Sequence, residues 1–334
     1  MCVSMKGDLM NMMSRRAFLR LSALAAGGAA LSFLSSCSLF ESDSGALVSS
    51  FFVVSDTHIT ADSERNCNHF RTMLSDISSL ETQPSTIVIV GDIVNSGIQE
   101  EYDLIRSLCE EKGYDFDRDF IKVMGNHEQM YSYGDDTGPI DEEYRSDQLL
   151  LFLKEAGLSE VYYDRYVDDL HFIMLGPDAW SDRCVAFNFT PKQMAWLDDL
   201  LAADEEVGQL SFVFCHEPLQ NTIHGSMEGS WGWRNSLYDN DELASILERY
   251  PHATYFSGHS HAYPDIKRPN PEGALYVNDG AVATGQVWAP ASVYGGGYSG
   301  AFGIQVNVYE KRVDFRGRDF LEHEWTNVKH KMAR

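Results

Sequence analysis

The chain has 334 residues, 44% hydrophobic and 23% charged, enough apolar content for one large α/β domain or two smaller ones. Fifty acidic side chains against 26 basic ones give a formal net charge of -24. A surface of that sign repels polyanions at long range, so no nucleic-acid polymer is expected as a partner, while a small phosphorylated substrate held by a local positive site remains open.

The first informative stretch is "SRRAFLR" at 14–20, paired arginines ahead of the short apolar run "LSALAAGGAALSFLSSC" that ends at Cys37. That run is shorter than the roughly 20 residues a membrane-spanning helix needs. Residues 1–37 instead look like a twin-arginine export signal, and "LSSC" resembles the lipobox at which bacterial lipoproteins are cut and acylated on the cysteine. The expectation is an exported protein, in the periplasm or at the outer face of the bacterial cytoplasmic membrane, touching the membrane only through a lipid on Cys37. Residues 38–49, polar and small, read as a linker.

Five apolar runs follow, each too uniformly hydrophobic to have a wet face: "FFVVSD" (51–56), "TIVIVGD" (86–92), "FIKVMGN" (120–126), "LSFVFCHE" (210–217) and "ATYFSGH" (253–259). They read as buried strands. Between them, apolar spacing predicts helices near 64–80, 98–112 and 143–156. A further helix is expected from Thr190 as N-cap with Pro191 at the first helical position, and another near Asp239. Two-residue turns at Asp168-Asp169 and Glu310-Lys311 predict hairpins. Residues 50–320 therefore read as one mixed α/β domain, with 321–334 a tail. Cys67, Cys109, Cys184 and Cys215 show no CxxC spacing and read as packing thiols, a disulfide being unassignable from spacing.

Each of the five runs ends in polar residues able to bind a metal: Asp56 and His58; Asp92; Asn126 with His127; His216; His259 and His261. In α/β sheets ligands bind beyond the carboxyl ends of strands, where loops converge on one crevice. The histidines of "GHSH", two residues apart, would project the same way from an extended segment. Carboxylate, amide oxygen and imidazole suit manganese, iron or zinc, and there are too many groups for one ion. Two divalent metal ions about 3.5–4 Å apart, sharing a carboxylate, would clamp the attacking and leaving oxygens of a displacement at phosphorus, and Asp92 is the natural bridge.

The blocks "SDTH", "GDIVN", "GNHE", "CHE" and "GHSH" resemble the signatures of the calcineurin-like metallophosphoesterase superfamily, and the chain looks similar to its class III cyclic nucleotide phosphodiesterases. The C-terminal "RGRDF" at 316–320 points towards exported bacterial relatives. The resemblance implies a four-layer αββα sandwich. It implies one metal on Asp56, His58, Asp92 and His261, another on Asp92, Asn126, His216 and His259, and a bridging water or hydroxide as nucleophile. It also keeps His127 off the metals, near the leaving-group oxygen, where it would act as a general acid or stabilise developing charge, with Glu128 orienting or charging its imidazole. Two departures refine this. Asn95 stands where purple acid phosphatases have a metal-ligating tyrosine, and "GDIVNSG" lacks the arginine of phosphoprotein phosphatases.

Substrate contacts are expected from loops. "HGSMEGSWGWRN" (224–235) would offer Trp231, Trp233 and Arg234, and "QMYSYGDD" after the third block Tyr131 and Tyr133, to a base, sugar or second phosphate. The other reading of these aromatics is a cover for the domain edge. The expected activity is hydrolysis of a small phosphodiester or phosphomonoester. The rival is a catalytically silent, metal-stabilised binding domain at the cell surface, against which the presence of His127 argues.

Overall fold

The computed structural model describes residues 44–129, 142–178, 187–230, 233, 237, 240–283 and 300–334. Its elements in chain order are β1 (Leu47–Val54), α1 (Glu64–Ser79), β2 (Thr86–Val90), α2 (Gln99–Glu111), β3 (Phe120–Val123), α3 (Glu142–Ala156), β4 (Tyr163–Val167) and β5 (Leu170–Met174). There follow α4 (Pro191–Val207), β6 (Ser211–Phe214), a 3-10 turn (His224–Ser226), α5 (Asn240–Leu247), β7 (Ala253–Ser257), β8 (Asp265–Lys267), β9 (Leu275–Asn278), β10 (Phe302–Tyr309), β11 (Arg312–Asp319) and β12 (Glu324–Ala333).

The strands form two six-stranded sheets, ordered β12-β11-β10-β1-β2-β3 and β4-β5-β6-β7-β9-β8. β1, β2 and β3 run parallel in the first, and β5, β6, β7 and β9 run parallel in the second. The reason the runs carry no polar alternation is visible in their two faces. Phe51, Val53, Val88 and Val90 point into a core shared with Phe212, Phe214 and Phe256 of the other sheet. Phe52, Val54, Ile87 and Ile89 point the opposite way, onto Phe70, Met73, Tyr102 and Ile105 of α1 and α2. On the far side Val213 and Tyr255 pack against Leu197 and Leu201 of α4 and Leu243 and Leu247 of α5. The central strands of both sheets are thus dry on both faces, and the layers are helix, sheet, sheet, helix, the αββα sandwich expected. Phe51 ties the middle layers together, its ring lying 4.8 Å from that of Phe172 and 5.0 Å from that of Phe212, both edge-on.

Local signals explain the element boundaries. Thr190 caps α4 by accepting from the Gln193 amide, Pro191 opens it, and Gly208 closes it in the left-handed conformation. Asp168 and Asp169 both take positive φ, 50° and 63°, in the tight turn joining β4 to β5. Two boundaries differ from expectation. The linker assigned to 38–49 overlaps β1, whose Leu47 and Ser49 already pair with Tyr309 and Val308. The supposed tail 321–334 contains β12, which pairs with β11 from Asp319↔Glu324 to Arg312↔Ala333 and belongs to the domain. As an edge strand β12 is covered on one side only, so its run "EWTNVKHKMA" is too polar to read as a buried strand. Cys67, Cys109 and Cys215 are buried free thiols, and Cys184 and the signal region lie outside the described residues.

Candidate metal centre

The seven candidate ligands leave the carboxyl ends of β1, β2, β3, β6 and β7, and the two sheets bring them to one end of the sandwich. Two overlapping clusters result: Asp56, His58, Asp92 and His261, and Asp92, His216 and His259, with the donor atoms of each within 4.8 Å of one another. Asn126 joins the second, its Oδ1 2.9 Å from His259 Nδ1. Asp92 is the shared member: its Oδ2 lies 3.6 Å from His58 Nε2 in the first cluster and 3.1 Å from His216 Nε2 in the second.

Backbone conformation produces this convergence. Asp56, His58, Asp92, His259 and His261 all have positive φ, between 42° and 62°, a region that disfavours residues with a Cβ. The extended geometry expected for "GHSH" is therefore not what aims its histidines. Left-handed residues on either side of Ser260 turn the chain sharply, sending His259 to Asn126 and His216 and His261 to Asp56 and His58. Glycine is needed alongside: a Cβ on Gly125 would stand 2.1 Å from the Asp92 amide nitrogen and 2.3 Å from its Oδ1.

Hydrogen bonds leave the inward atoms available. His216 donates from Nδ1 to the Val90 carbonyl at 2.7 Å, which turns Nε2 towards Asp92. Asp92 Oδ1 accepts from the His127 amide at 2.9 Å, leaving Oδ2 facing the cluster. Asp56 Oδ2 accepts from Ser55 Oγ and the His259 amide, whereas the buried Oδ1 accepts no hydrogen bond among the described residues. His58 and His261 bring their Nε2 atoms within 3.1 Å of each other. A carboxylate oxygen that among the described residues meets only imidazole nitrogens, with His261 Nε2 3.0 Å away, is a donor set that fits a divalent cation.

Electrostatics agree. Burial, reinforced by neighbouring imidazoles, pushes His58 and His259 down to about 3, so both are neutral with a lone pair to offer. Burial opposes ionisation of Asp56, but His261 and His216 outweigh it and hold the carboxyl at about 2. Asp92 is likewise held well below its usual range against the pull of burial, chiefly by His216 and His127. Burial lowers His216, yet Asp92 and Asp56 overcome it and raise the group to about 10, a proton that a bound cation would displace.

His127 belongs to neither cluster. Its Nδ1 lies 2.7 Å from the Asn95 carbonyl and its Nε2 4.0 Å from Asp92 Oδ2, with its ring edge-on to His58 at 4.4 Å. Glu128 departs from expectation. Its fully buried carboxylate accepts from the backbone amides of Asp92 at 3.0 Å, Gly125 at 2.6 Å and Val94 at 3.1 Å. It braces the loops that carry the ligands, and the imidazole of His127 is held by Asn95 instead. Asp279 and Ser55 had no place in the sequence reading, although "LYVND" is another apolar run ending in a carboxylate. Asp279 Oδ1 lies 2.7 Å from Ser55 Oγ, itself 2.5 Å from Asp56 Oδ2.

Among the substrate candidates, Tyr131, Tyr133, Trp231 and Arg234 lie outside the described residues. Trp233 is half-buried, its amide donating to Ser230 Oγ at 2.9 Å and its carbonyl accepting from Gln220 at 3.0 Å. The loop before it abuts the ligand turn: a Cβ on Gly225 would come 2.2 Å from Oγ of Ser260, the residue between His259 and His261.

A two-sheet sandwich with carboxylate–imidazole clusters at the strand ends defines the class of metal-dependent phosphoesterases. Residues 49–263 match the family described as calcineurin-like phosphoesterase, and the chain belongs to it. It is 24% identical over 127 residues to a probable cyclic nucleotide phosphodiesterase of Rhodococcus erythropolis, covering 34% of this chain and 42% of that one. It is 23% identical over 218 residues to the glycerophosphodiester phosphodiesterase GpdQ of Enterobacter lignolyticus, covering 62% of this chain and 69% of that protein. Its fold is similar to that of a dimetal phosphatase from Danio rerio, with a TM-score of 0.58, 15% identity, 86% of this chain and 99% of that one.

Proposed function

We propose that the protein hydrolyses a small phosphoester, a diester or monoester with a nucleotide among the candidate leaving groups, using a pair of divalent cations. The observation that carries this reading is the position of Asp92 Oδ2, which faces both clusters at once, with His127 Nε2 4.0 Å away and outside both. Asp56, His58, Asp92 and His261 would hold one ion, and Asp92, Asn126, His216 and His259 the other. The ions, manganese, iron or zinc by the nitrogen and oxygen donors present, would supply positive charge for the phosphoryl oxygens and lower the pKa of a water. His127, its Nδ1 anchored on Asn95, presents Nε2 to the edge of the site, where it would protonate the leaving oxygen. The names of the two relatives favour a diester, and the close approach of Gly225 to Ser260 supports a role for that loop in contacts to the leaving group.

The test is hydrolysis of matched chromogenic mono- and diesters by metal-free protein reconstituted with each ion, read with metal counts per chain. Two ions bound and turnover restored are expected. Two ions bound without turnover of any phosphoester would leave the silent binding domain as the better description. Export with a lipid on Cys37 rests on "SRRAFLR" and "LSSC" alone, and no helix among the described residues is long and apolar enough to cross a membrane. Palmitate labelling that persists in Cys37→Ala would refute the anchor.

A further inference from the structure

Ser55 Oγ lies 2.5 Å from Asp56 Oδ2, 2.7 Å from Asp279 Oδ1 and 3.2 Å from the Gly280 carbonyl. A serine hydroxyl owns one proton and can donate it once. If Asp56 and Asp279 were both ionised, one of the two short contacts would join oxygens with no hydrogen between them. The second proton must therefore sit on a carboxyl. Asp56 is a ligand of the proposed first cation, a role that needs the carboxylate, and its Oδ1 lies 3.0 Å from His261 Nε2 and 3.9 Å from His216 Nε2. Asp279 forms no ion pair among the described residues, and the charge of His216 that reaches it is outweighed by burial and by Asp56. It is fully buried, and its Oδ2 has no hydrogen-bond partner among the described residues, an arrangement that a neutral acid tolerates far better than a carboxylate. Burial, then the charge of Asp56, also moves this carboxyl well above its usual range.

The backbone makes the contact a built one. Asp279 leaves the end of β9 with its amide donating to Ser257 O at 3.1 Å, and Gly280 turns the chain at φ 96°. The amides of Val282 and Ala283 then donate to the carbonyls of Ser55 at 3.1 Å and Asp56 at 2.9 Å. The segment after β9 is thus laced along the residues that lead into the first cluster.

We propose that Asp279 and Ser55 form a positioning relay for Asp56: Asp279, as the neutral acid, donates to Ser55 Oγ, and Ser55 donates to Asp56 Oδ2. With Oδ2 held by Ser55 and by the His259 amide, Oδ1 is the atom turned to the cation. The relay acts on the ligand and touches neither substrate nor reacting atoms. It rests on the two-cation reading above.

The test is calorimetric titration of Mn2+ into metal-free wild type, Asp279→Asn, Asp279→Ala and Ser55→Ala, each checked for fold by circular dichroism. Asparagine carries an N–H that can donate to Ser55 in place of the acid, without charge. Asp279→Asn is expected to bind Mn2+ about as wild type does, and Asp279→Ala and Ser55→Ala about 10–100-fold more weakly. Asp279→Asn as weak as Asp279→Ala would show that an ionised carboxylate is required and overturn the relay, as would Asp279→Ala binding as tightly as wild type. Should Asp279→Ala not fold, an unchanged affinity in Ser55→Ala overturns it on its own. Wild type that takes up no Mn2+ overturns the metal reading, and the relay falls with it; every other failure leaves that reading standing.

Discussion

Glu128 offers the sharpest separation between two accounts of one residue. Its carboxylate is the acceptor for three buried amides, those of Asp92, Gly125 and Val94. A buried N–H left without a partner costs about 1–3 kcal/mol, so Glu128→Ala, which strands three, would forfeit about 3–9 kcal/mol. That is a large part of the roughly 5–15 kcal/mol that holds an ordinary domain together. Glu128→Gln keeps one acceptor oxygen, which can serve the Asp92 and Gly125 amides from the place of Oε2, while its NH2 group meets the Val94 N–H; one unsatisfied donor costs about 1–3 kcal/mol. The assay is urea unfolding of chelator-treated protein, followed by circular dichroism, with turnover measured separately after reconstitution. If Glu128 served mainly to charge the His127 ring, Glu128→Ala would lower turnover as His127→Ala does and leave the unfolding free energy within about 1 kcal/mol of wild type. That outcome would refute the bracing role.

His127→Ala should keep both ions and lose about 10²–10⁴-fold in turnover of a chromogenic phosphodiester, and unchanged turnover would remove His127 from the reaction. His261→Ala and His259→Ala should each lower the metal count by about one per chain, since each belongs to one cluster, while Asp92→Asn should lower it at both. Equal loss from all three variants would deny that the clusters are separate. Away from the site, burial lowers His171, but its 2.6 Å contact to Asp204 and its contact to Asp164 outweigh this and raise it above 6.5. A raised folded value means stability that is present in full below pH 6.5 and is lost as pH rises through that value. The unfolding free-energy gap between wild type and His171→Gln should accordingly shrink from pH 6 to pH 9, and a gap that widens would reverse the assignment.

The five strand runs and their terminal ligands were legible because a strand dry on both faces leaves no polar alternation to misread, as Phe51 through Val54 show by pointing alternately into two different cores. Thr190-Pro191 and Asp168-Asp169 were legible because capping and tight-turn chemistry is local. β12 was not, because Lys329 and Lys331 alternate with only partly covered residues along an edge. Nor was the task of Glu128 legible, since adjacency to His127 in sequence says nothing about amides 34 to 36 residues earlier that the fold delivers to its carboxylate. Asp279 lies 224 residues from Ser55, and no spacing rule connects them.

Five of the seven proposed ligands sit where the backbone would prefer glycine or asparagine. Aspartate and histidine at those turns cost of the order of 1 kcal/mol or more each, a cost that the proposed binding of ions would offset. A descendant that no longer held an ion would be released from that constraint. Its turns at 56, 58, 92, 259 and 261 would drift towards residues at ease with left-handed geometry, so that the loss of the ion would be written in the chain as relaxation.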